Sequence, residues 1–352
     1  MRKLCYLAMA FMVVFASLHV PAVQAEQASE IKKIPLIYAD HIPAMAGGNV
    51  FIKKQYLPRI QGQLAKIGYE LDITFYHSES LYKYADLSQA CDQGLIDITV
   101  AVIPYELARA PLNEVMDMSF MGWDGPTMLR VWEGLNKNVP EFRAEWAKDY
   151  VELFRFIPTL RLIHHNIEGA RVPEDFKGKK IHSAGMGAKL LKSIGAVAIK
   201  QNPGDWYTSL DRGLFDGIHV AFDMVGILKL WEVLNYHVIP YGDSFGFTPV
   251  THIMNREKFE SLPAGVQQVL LDNMMWASEA MLQDELTRLP WYQEGAKKKG
   301  NTFYELTPEE TAKWREAVKP VHEEWIKDKE KKGLAARKVY NEARRLVKEY
   351  TK

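Results

Sequence analysis

The chain has 352 residues and carries 44 Lys+Arg against 44 Asp+Glu. That length exceeds one small core and suits two lobes of ordinary domain size, and 47% hydrophobic with 25% charged residues excludes bulk disorder. A net charge of zero offers none of the basic excess a nucleic-acid binder shows, and 17 Pro with 23 Gly exclude fibrous or low-complexity classes.

The N-terminus is unlike the rest. Met1-Arg2-Lys3 is basic, Leu4 through Val20 is uncharged and almost wholly apolar, Pro21 breaks the run, and Val23-Gln24-Ala25 supplies small residues. This pattern predicts a secretory signal peptide over residues 1–25, cleaved after Ala25. An uncleaved anchor helix is the alternative, although the apolar run is near the lower limit for a span. Cleavage would remove Arg2 and Lys3 and no acid, leaving 42 bases against 44 acids and Cys91 as the one cysteine. A lone cysteine makes no internal disulfide. The expected location is the periplasm.

Ile34 to Ala39 reads as a short buried strand, Ala44 to Asn49 as a Gly-containing turn, and Val50 to Gly68 as a helix that Pro58 can kink. Tyr69 to Tyr76 alternates as a strand. Leu81 to Gln93 is helical and stops at Gly94, and Ile96 to Ile103 is a nearly unbroken apolar strand. This alternation predicts a mostly parallel sheet covered by helices.

A second α/β unit follows. Tyr150 to Pro158, Leu160 to His165, Lys179 to His182, Ala196 to Lys200 and Ile218 to Phe222 read as strands, with helices over Ala188 to Gly195 and Trp206 to Arg212. Ala264 to Gly300 reads as one long helix or a kinked pair, since Pro290 interrupts it. Thr307-Pro308-Glu309-Glu310 is a helix start, and the charged tail from Lys327 to Lys352 reads as a helix with a solvated face.

No nucleotide-binding glycine loop, GxSxG, HExxH or CxxC occurs. Cys91, mid-helix, reads as a small core residue rather than a nucleophile. An exported α/β protein without a catalytic constellation points toward binding rather than turnover.

Four stretches carry a resemblance. Val172-Pro173-Glu174-Asp175-Phe176-Lys177-Gly178-Lys179-Lys180-Ile181-His182 resembles the Pro-x-Asp-Leu-Lys-Gly-x-Lys-Ile-Arg stretch of the solute-binding proteins of tripartite ATP-independent periplasmic (TRAP) transporters, DctP type. Tyr207 to Gly217 is similar to the family's Tyr-x-Ala-Leu-Gln-x-Gly-Val-Val-Asp-Gly, Leu87 to Asp97 to its helix ending in Gly-x-x-Asp, and Asn255 to Pro263 to the Asn…Leu-Pro that opens its long helix.

The resemblance implies a two-lobe α/β periplasmic-binding-protein fold (type II-like), with a hinge and a long helix spanning both lobes. The expected division is residues 26–158 plus about 246–290 for one lobe, 159–245 plus about 291–330 for the other, and 331–352 for a charged C-terminal helix. It implies a non-enzymatic subunit that captures a small organic acid, a carboxylate or sulfonate, and passes it to membrane TRAP permease subunits. We expect a monomer with a small-molecule ligand, no nucleic-acid partner and no cofactor.

Relatives grip their ligand with an arginine at the end of the Lys-Ile-Arg stretch, where this chain has His182. Imidazole is a weaker carboxylate partner than a guanidinium fork. Arg161 is the substitute this reading favours, a surface arginine at a strand end being the alternative. A neutral or aromatic solute is the second reading of the ligand. The loop after the first strand offers His41 and Asn49, although Asn49 can instead cap the helix that follows. The other lobe offers Trp206, Tyr207, His219, Phe222 and Asp223, and the Gly-containing segment Tyr241 to Phe247 offers Phe245 and Phe247; core packing is the alternative for each aromatic. Two rival readings keep these residues: an exported hydrolase using a histidine-held metal, drawn from His41, His164 or His165, His182 and His219, and a ligand sensor for a membrane signalling protein. Arg161→Ala is expected to abolish stabilisation by an anionic ligand and to leave the ligand-free melt nearly unchanged.

Overall fold

The computed structural model describes residues 31–351, so the signal-peptide expectation lies outside the described residues. Two sheets organise the chain. The first runs β2-β1-β3-β10-β4, built from β1 (Lys32–Ala39), β2 (Tyr69–Tyr76), β3 (Ile98–Val102), β4 (Tyr150–Phe156) and β10 (Val250–Asn255). The second runs β11-β9-β5-β8-β6-β7, built from β5 (Arg161–His165), β6 (Lys180–His182), β7 (Val197–Ile199), β8 (Gly217–Ala221), β9 (Tyr236–Ile239) and β11 (Thr302–Glu305). Each sheet forms the floor of one lobe.

The sheets are mixed rather than mostly parallel. β1 pairs in parallel with β2 and β3, as the alternation predicts, but β10 lies antiparallel between β3 and β4. In the second sheet β5 is antiparallel to both β8 and β9. The cause is the crossing pattern. The chain leaves the first sheet after Phe156 and enters the second at Arg161, then returns between Ile239 and Val250. β5 and β10, the strands that follow these two crossings, enter their sheets against their neighbours, whereas β11 later joins the second sheet parallel to β9. β3 is buried at every position, which explains its continuous apolar sequence.

The helix expected over Val50 to Gly68 runs from Gly47 to Ala65 in three joined segments, Gly47–Phe51, a π-helical turn Ile52–Tyr56, and Leu57–Ala65. The π turn ends just before Pro58, whose missing N–H breaks the regular ladder. The helix expected over Leu81 to Gln93 is shorter, a single turn at Tyr84–Asp86 leading into Leu87–Asp92, and Gly94 follows with φ +68°. The Ala264 to Gly300 stretch is two helices, Ala264–Asp272 and Met274–Lys298. It breaks at Asn273 and not at Pro290. The Asn273 amide donates to the Val269 carbonyl at 2.7 Å and to Gln63 at 2.9 Å, and its oxygen accepts from Arg59 at 2.8 Å. The longer helix packs on β4 of the first lobe and on the short helix Phe222–Ile227 of the second.

Thr307 closes a capping box with Glu310 at the start of the helix Pro308–Glu330. Glu310 also takes both prongs of Arg171, at 2.7 and 2.8 Å, and these bonds hold its carboxyl down at about 2. The last helix, Ala336–Tyr350, turns Val339, Ala343, Leu346 and Val347 onto the helix Gly125–Asn138 and leaves its charges outward.

Candidate functional site

The two crossings of the chain meet at Arg161. Its backbone N–H donates to the Gly246 carbonyl at 2.9 Å, and its Nη2 donates to the Phe247 carbonyl at 2.9 Å and lies 3.3 Å from the Thr248 hydroxyl. Gly246 makes this approach possible. Its φ is +100°, and a Cβ there would come within 3.2 Å of the Met118 carbonyl. Arg161 is only 2% exposed, which removes the surface-arginine alternative.

Beside this crossing a cavity of about 110 Å³ opens between the lobes. Seven of the eleven candidate residues line it: His41, Asn49, Arg161, His182, Trp206, His219 and Asp223. The first lobe adds Val100, Val102, Phe156 and Val250, and the long helix adds Met281 and Glu285.

Arg161 forms a buried ion pair with Asp117, whose other oxygen accepts the Met186 N–H at 2.6 Å. Burial pushes the Asp117 carboxyl up to about 6 even with the Arg161 guanidinium against it. The pair occupies one part of the fork. Nε and Nη1 of Arg161 find no partner among the described residues.

The histidines of the wall are neutral. Burial lowers His182 to about 3, His219 well below the ordinary value, and His41 in the same direction. His182 sits 4.7 Å from the Trp206 ring, and its Nδ1 is unpartnered; His219 Nδ1 lies 3.1 Å from the Ser183 hydroxyl. His182 therefore offers a single imidazole where the family stretch ends in arginine. Asn49 does not cap its helix. Its amide donates to the Pro43 carbonyl at 3.1 Å and braces the loop, and Ala46 stands at the cap without a side-chain bond.

Four candidates fall outside the cavity. Tyr207 points outward, 37% exposed, with its hydroxyl on Glu232 at 3.3 Å. Phe222 turns into the second lobe, 5.7 Å from the His164 ring and 5.6 Å from Phe303. Phe245 packs between Phe120 and Trp314, and Phe247 contributes its carbonyl rather than its buried ring. Core packing wins for these three phenylalanines: Phe222 follows the end of β8, Phe245 and Phe247 lie in the loop between β9 and β10, and all three rings are buried.

The sequence reading missed Asp117, His252 and Glu285. His252 lies on β10, its two ring nitrogens without a partner among the described residues and its ring 4.1 Å from Phe154. Glu285 carried a readable signal, since it is the one acid in the buried stripe Ala277, Ser278, Met281, Leu282, Glu285, Tyr292. The metal idea is not supported. Among the described residues no group of three or more His, Cys, Asp or Glu stands where it could hold a metal ion. His164 lies instead against His237, Nδ1 to Nδ1 at 2.7 Å, inside the second lobe, and His165 accepts the Ile167 N–H at 3.2 Å.

Residues 64–328 match the family of bacterial extracellular solute-binding proteins, family 7, DctP. The chain belongs to this family. A DctP-family chain of this kind is the binding component of a TRAP transporter, a non-enzymatic protein that holds a small solute and presents it to membrane permease components. Among its relatives is the C4-dicarboxylate-binding periplasmic protein DctP of Rhodobacter capsulatus, 24% identical over 265 residues, covering 72% of this chain and 76% of that one. A marine-metagenome TRAP solute-binding protein specific for aromatic acid ligands, solved with 3-hydroxybenzoate, superimposes with a TM-score of 0.83 at 22% identity, covering 91% of this chain and 99% of that one. A TRAP solute-binding protein from Rhodoferax ferrireducens T118 with copurified benzoate gives a TM-score of 0.80 at 17% identity, covering 90% and 98%. The family is extracytoplasmic, and no helix among the described residues is long and apolar enough to cross a membrane.

Proposed function

We propose that this DctP-family protein encloses a small organic acid, a carboxylate or sulfonate with an apolar body, and passes it unaltered to its permease as a monomer. The observation that carries this reading is Arg161. It is 2% exposed, it lines the cavity, and two of its three nitrogens have no partner among the described residues. A guanidinium so placed lacks acceptors, and an anionic oxygen supplies them through charge-assisted bonds. The walls favour a compact apolar body, because Val100, Val102, Val250 and Phe156 offer no polar group. The volume of about 110 Å³ is of the order of an apolar cavity of about 150 Å³ that takes one benzene. Relatives solved with benzoate, mandelate, orotic acid and galacturonate all hold acids, which supports the charge type and leaves the skeleton open. The neutral imidazole of His182 suits a hydrogen bond to the same anion rather than a second ion pair.

A calorimetric melt with a panel of benzoates, dicarboxylates, sulfonates, polyols and amines tests the reading. A bound acid stabilises the fold by mass action, by about 2.7 kcal/mol at a hundredfold excess over Kd, and so raises the melting temperature; mass spectrometry recovers it unchanged. Stabilisation by polyols alone, or recovery of a converted product, overturns it.

A further inference from the structure

The cavity holds a second polar region that an anion at Arg161 leaves unused. Glu285 lines it from the helix Met274–Lys298, is 3% exposed, and has an Oε1 without a partner among the described residues. Asp223, also 3% exposed, lines the same cavity from the second lobe and accepts the Thr159 hydroxyl at 3.0 Å. The groups around the two poles differ. Arg161 acts on Asp117, Tyr105, His182 and His219, whereas Glu285 faces Asp223, Arg288 and Asp284 and meets the Tyr292 hydroxyl, which leaves Oε1 as its free acceptor. Arg288 does not simply neutralise Glu285, because its Nη2 is held by Asp284 at 2.5 Å. Across the gap the chain has Gly47, where a Cβ would lie 1.8 Å from Arg288 Nη1 and 3.1 Å from Glu285 Oε2. A glycine there leaves room for the Arg288 guanidinium beside Glu285.

A buried carboxyl group with an unpartnered oxygen is costly, and a leucine would complete the apolar stripe of the helix at less cost. A donor arriving with the solute removes the cost. We infer that Glu285, with Asp223 beside it, accepts a hydrogen bond from a hydroxyl or ammonium group of the solute while the solute's acid group sits at Arg161. This rests on the acid reading above and narrows it to compact acids that carry a second, donating substituent. Burial, reinforced by Asp223, pushes Glu285 up to about 8, and burial pushes Asp223 up to about 6. The empty pair thus holds a proton at neutral pH, which a hydroxyl tolerates and an ammonium displaces.

Titration calorimetry with matched probes tests this: 3-methylbenzoate, 3-hydroxybenzoate and 3-(aminomethyl)benzoate, with benzyl alcohol and benzylamine as donors that lack the acid. The wild type should bind at least one donor-bearing benzoate about tenfold or more tighter than 3-methylbenzoate, the range of a hydrogen bond to a charged group. Glu285→Leu should level that difference and melt no lower than the wild type, which shows that it folds. Glu285→Gln should keep part of the hydroxyl preference and lose the ammonium preference. A ranking that survives Glu285→Leu, or a wild type that prefers the methyl compound, overturns the inference and leaves the acid reading standing. Binding of benzylamine but of no acid, lost in Glu285→Leu, sinks the acid reading and keeps the role of Glu285. Failure of every probe overturns both.

Discussion

The second sheet carries five buried histidines on its strands, His164 and His165 on β5, His182 on β6, His219 on β8 and His237 on β9, whereas the first carries one, His252 on β10. The same contrast runs through the cavity. From the first sheet come mainly Val100, Val102, Phe156 and Val250, and from the second come Arg161, His182 and His219. The strands of the first sheet mainly give the cleft its shape and those of the second give it a guanidinium and two imidazoles, while His41, Asn49 and His252 add polar groups from the first lobe. A polar interior of this kind is stable only while it stays uncharged, so the two lobes should respond differently to conditions that charge imidazoles.

Acid is the strongest way to break that contrast. Burial lowers His165 and His237 to about 4 and His182 to about 3, and lowers His164 and His219 well below the ordinary value. The unfolded chain takes up protons near 6.5 and the native state does not, so this stability is complete above that pH and drains away as pH falls toward the folded values. Each such histidine is worth about 2 kcal/mol by pH 5. Asp117 and Asp223, raised to about 6, and Glu285, raised to about 8, have the opposite sign, since their contribution is lost as pH rises through those values, and of the three only Asp223 lies in the second lobe with its five histidines. Hydrogen exchange at pH 5 and 7, corrected for intrinsic rates, should show the second sheet losing protection well beyond the first. Equal losses in the two sheets would end the comparison.

Next in size is Arg161→Ala. The expectation from sequence, a lost ligand with an unchanged melt, needs revision, because the side chain is also the partner of Asp117, itself 0% exposed. Stranding that carboxylate costs about 3–5 kcal/mol. The ligand-free variant should melt lower and bind no acid. Adding Asp117→Asn should restore most of the melt and none of the binding. A single variant that melts like the wild type would mean the pair contributes nothing to holding the lobes' junction.

How far the site was legible follows from where its residues stand. Arg161, His182 and His219 sit on or at the end of recognisable strands, and His41 follows one, so topology alone points them at the cleft. Phe222 also follows a strand end, but Ala221 starts a helix whose first turn swings the ring into the core beside His164. Asp117 lies in a stretch without periodic pattern, and its partners, Arg161 and the Met186 N–H, stand 44 and 69 positions away. β10 gave no strand signal because Thr251, His252 and Asn255 interrupt its short apolar run, and it inserts antiparallel into the first sheet only after the chain has passed through β5 to β9 of the second.

The smallest effects sharpen the comparison within one helix. Trp206 and Tyr207 are neighbours on Trp206–Asp211, and only Trp206, 4% exposed, faces the cavity beside His182. Trp206→Ala should weaken acid binding by about tenfold or more, as expected of a buried aromatic anchor. Tyr207→Phe removes one hydroxyl from an outward rim contact with Glu232, itself already held by Lys299 at 3.0 Å. Its Kd should move by less than about threefold, in keeping with a surface substitution away from any buried network. A large change on removing that hydroxyl would place the rim of the second lobe in contact with the solute, and the line between lining and supporting residues would have to move outward.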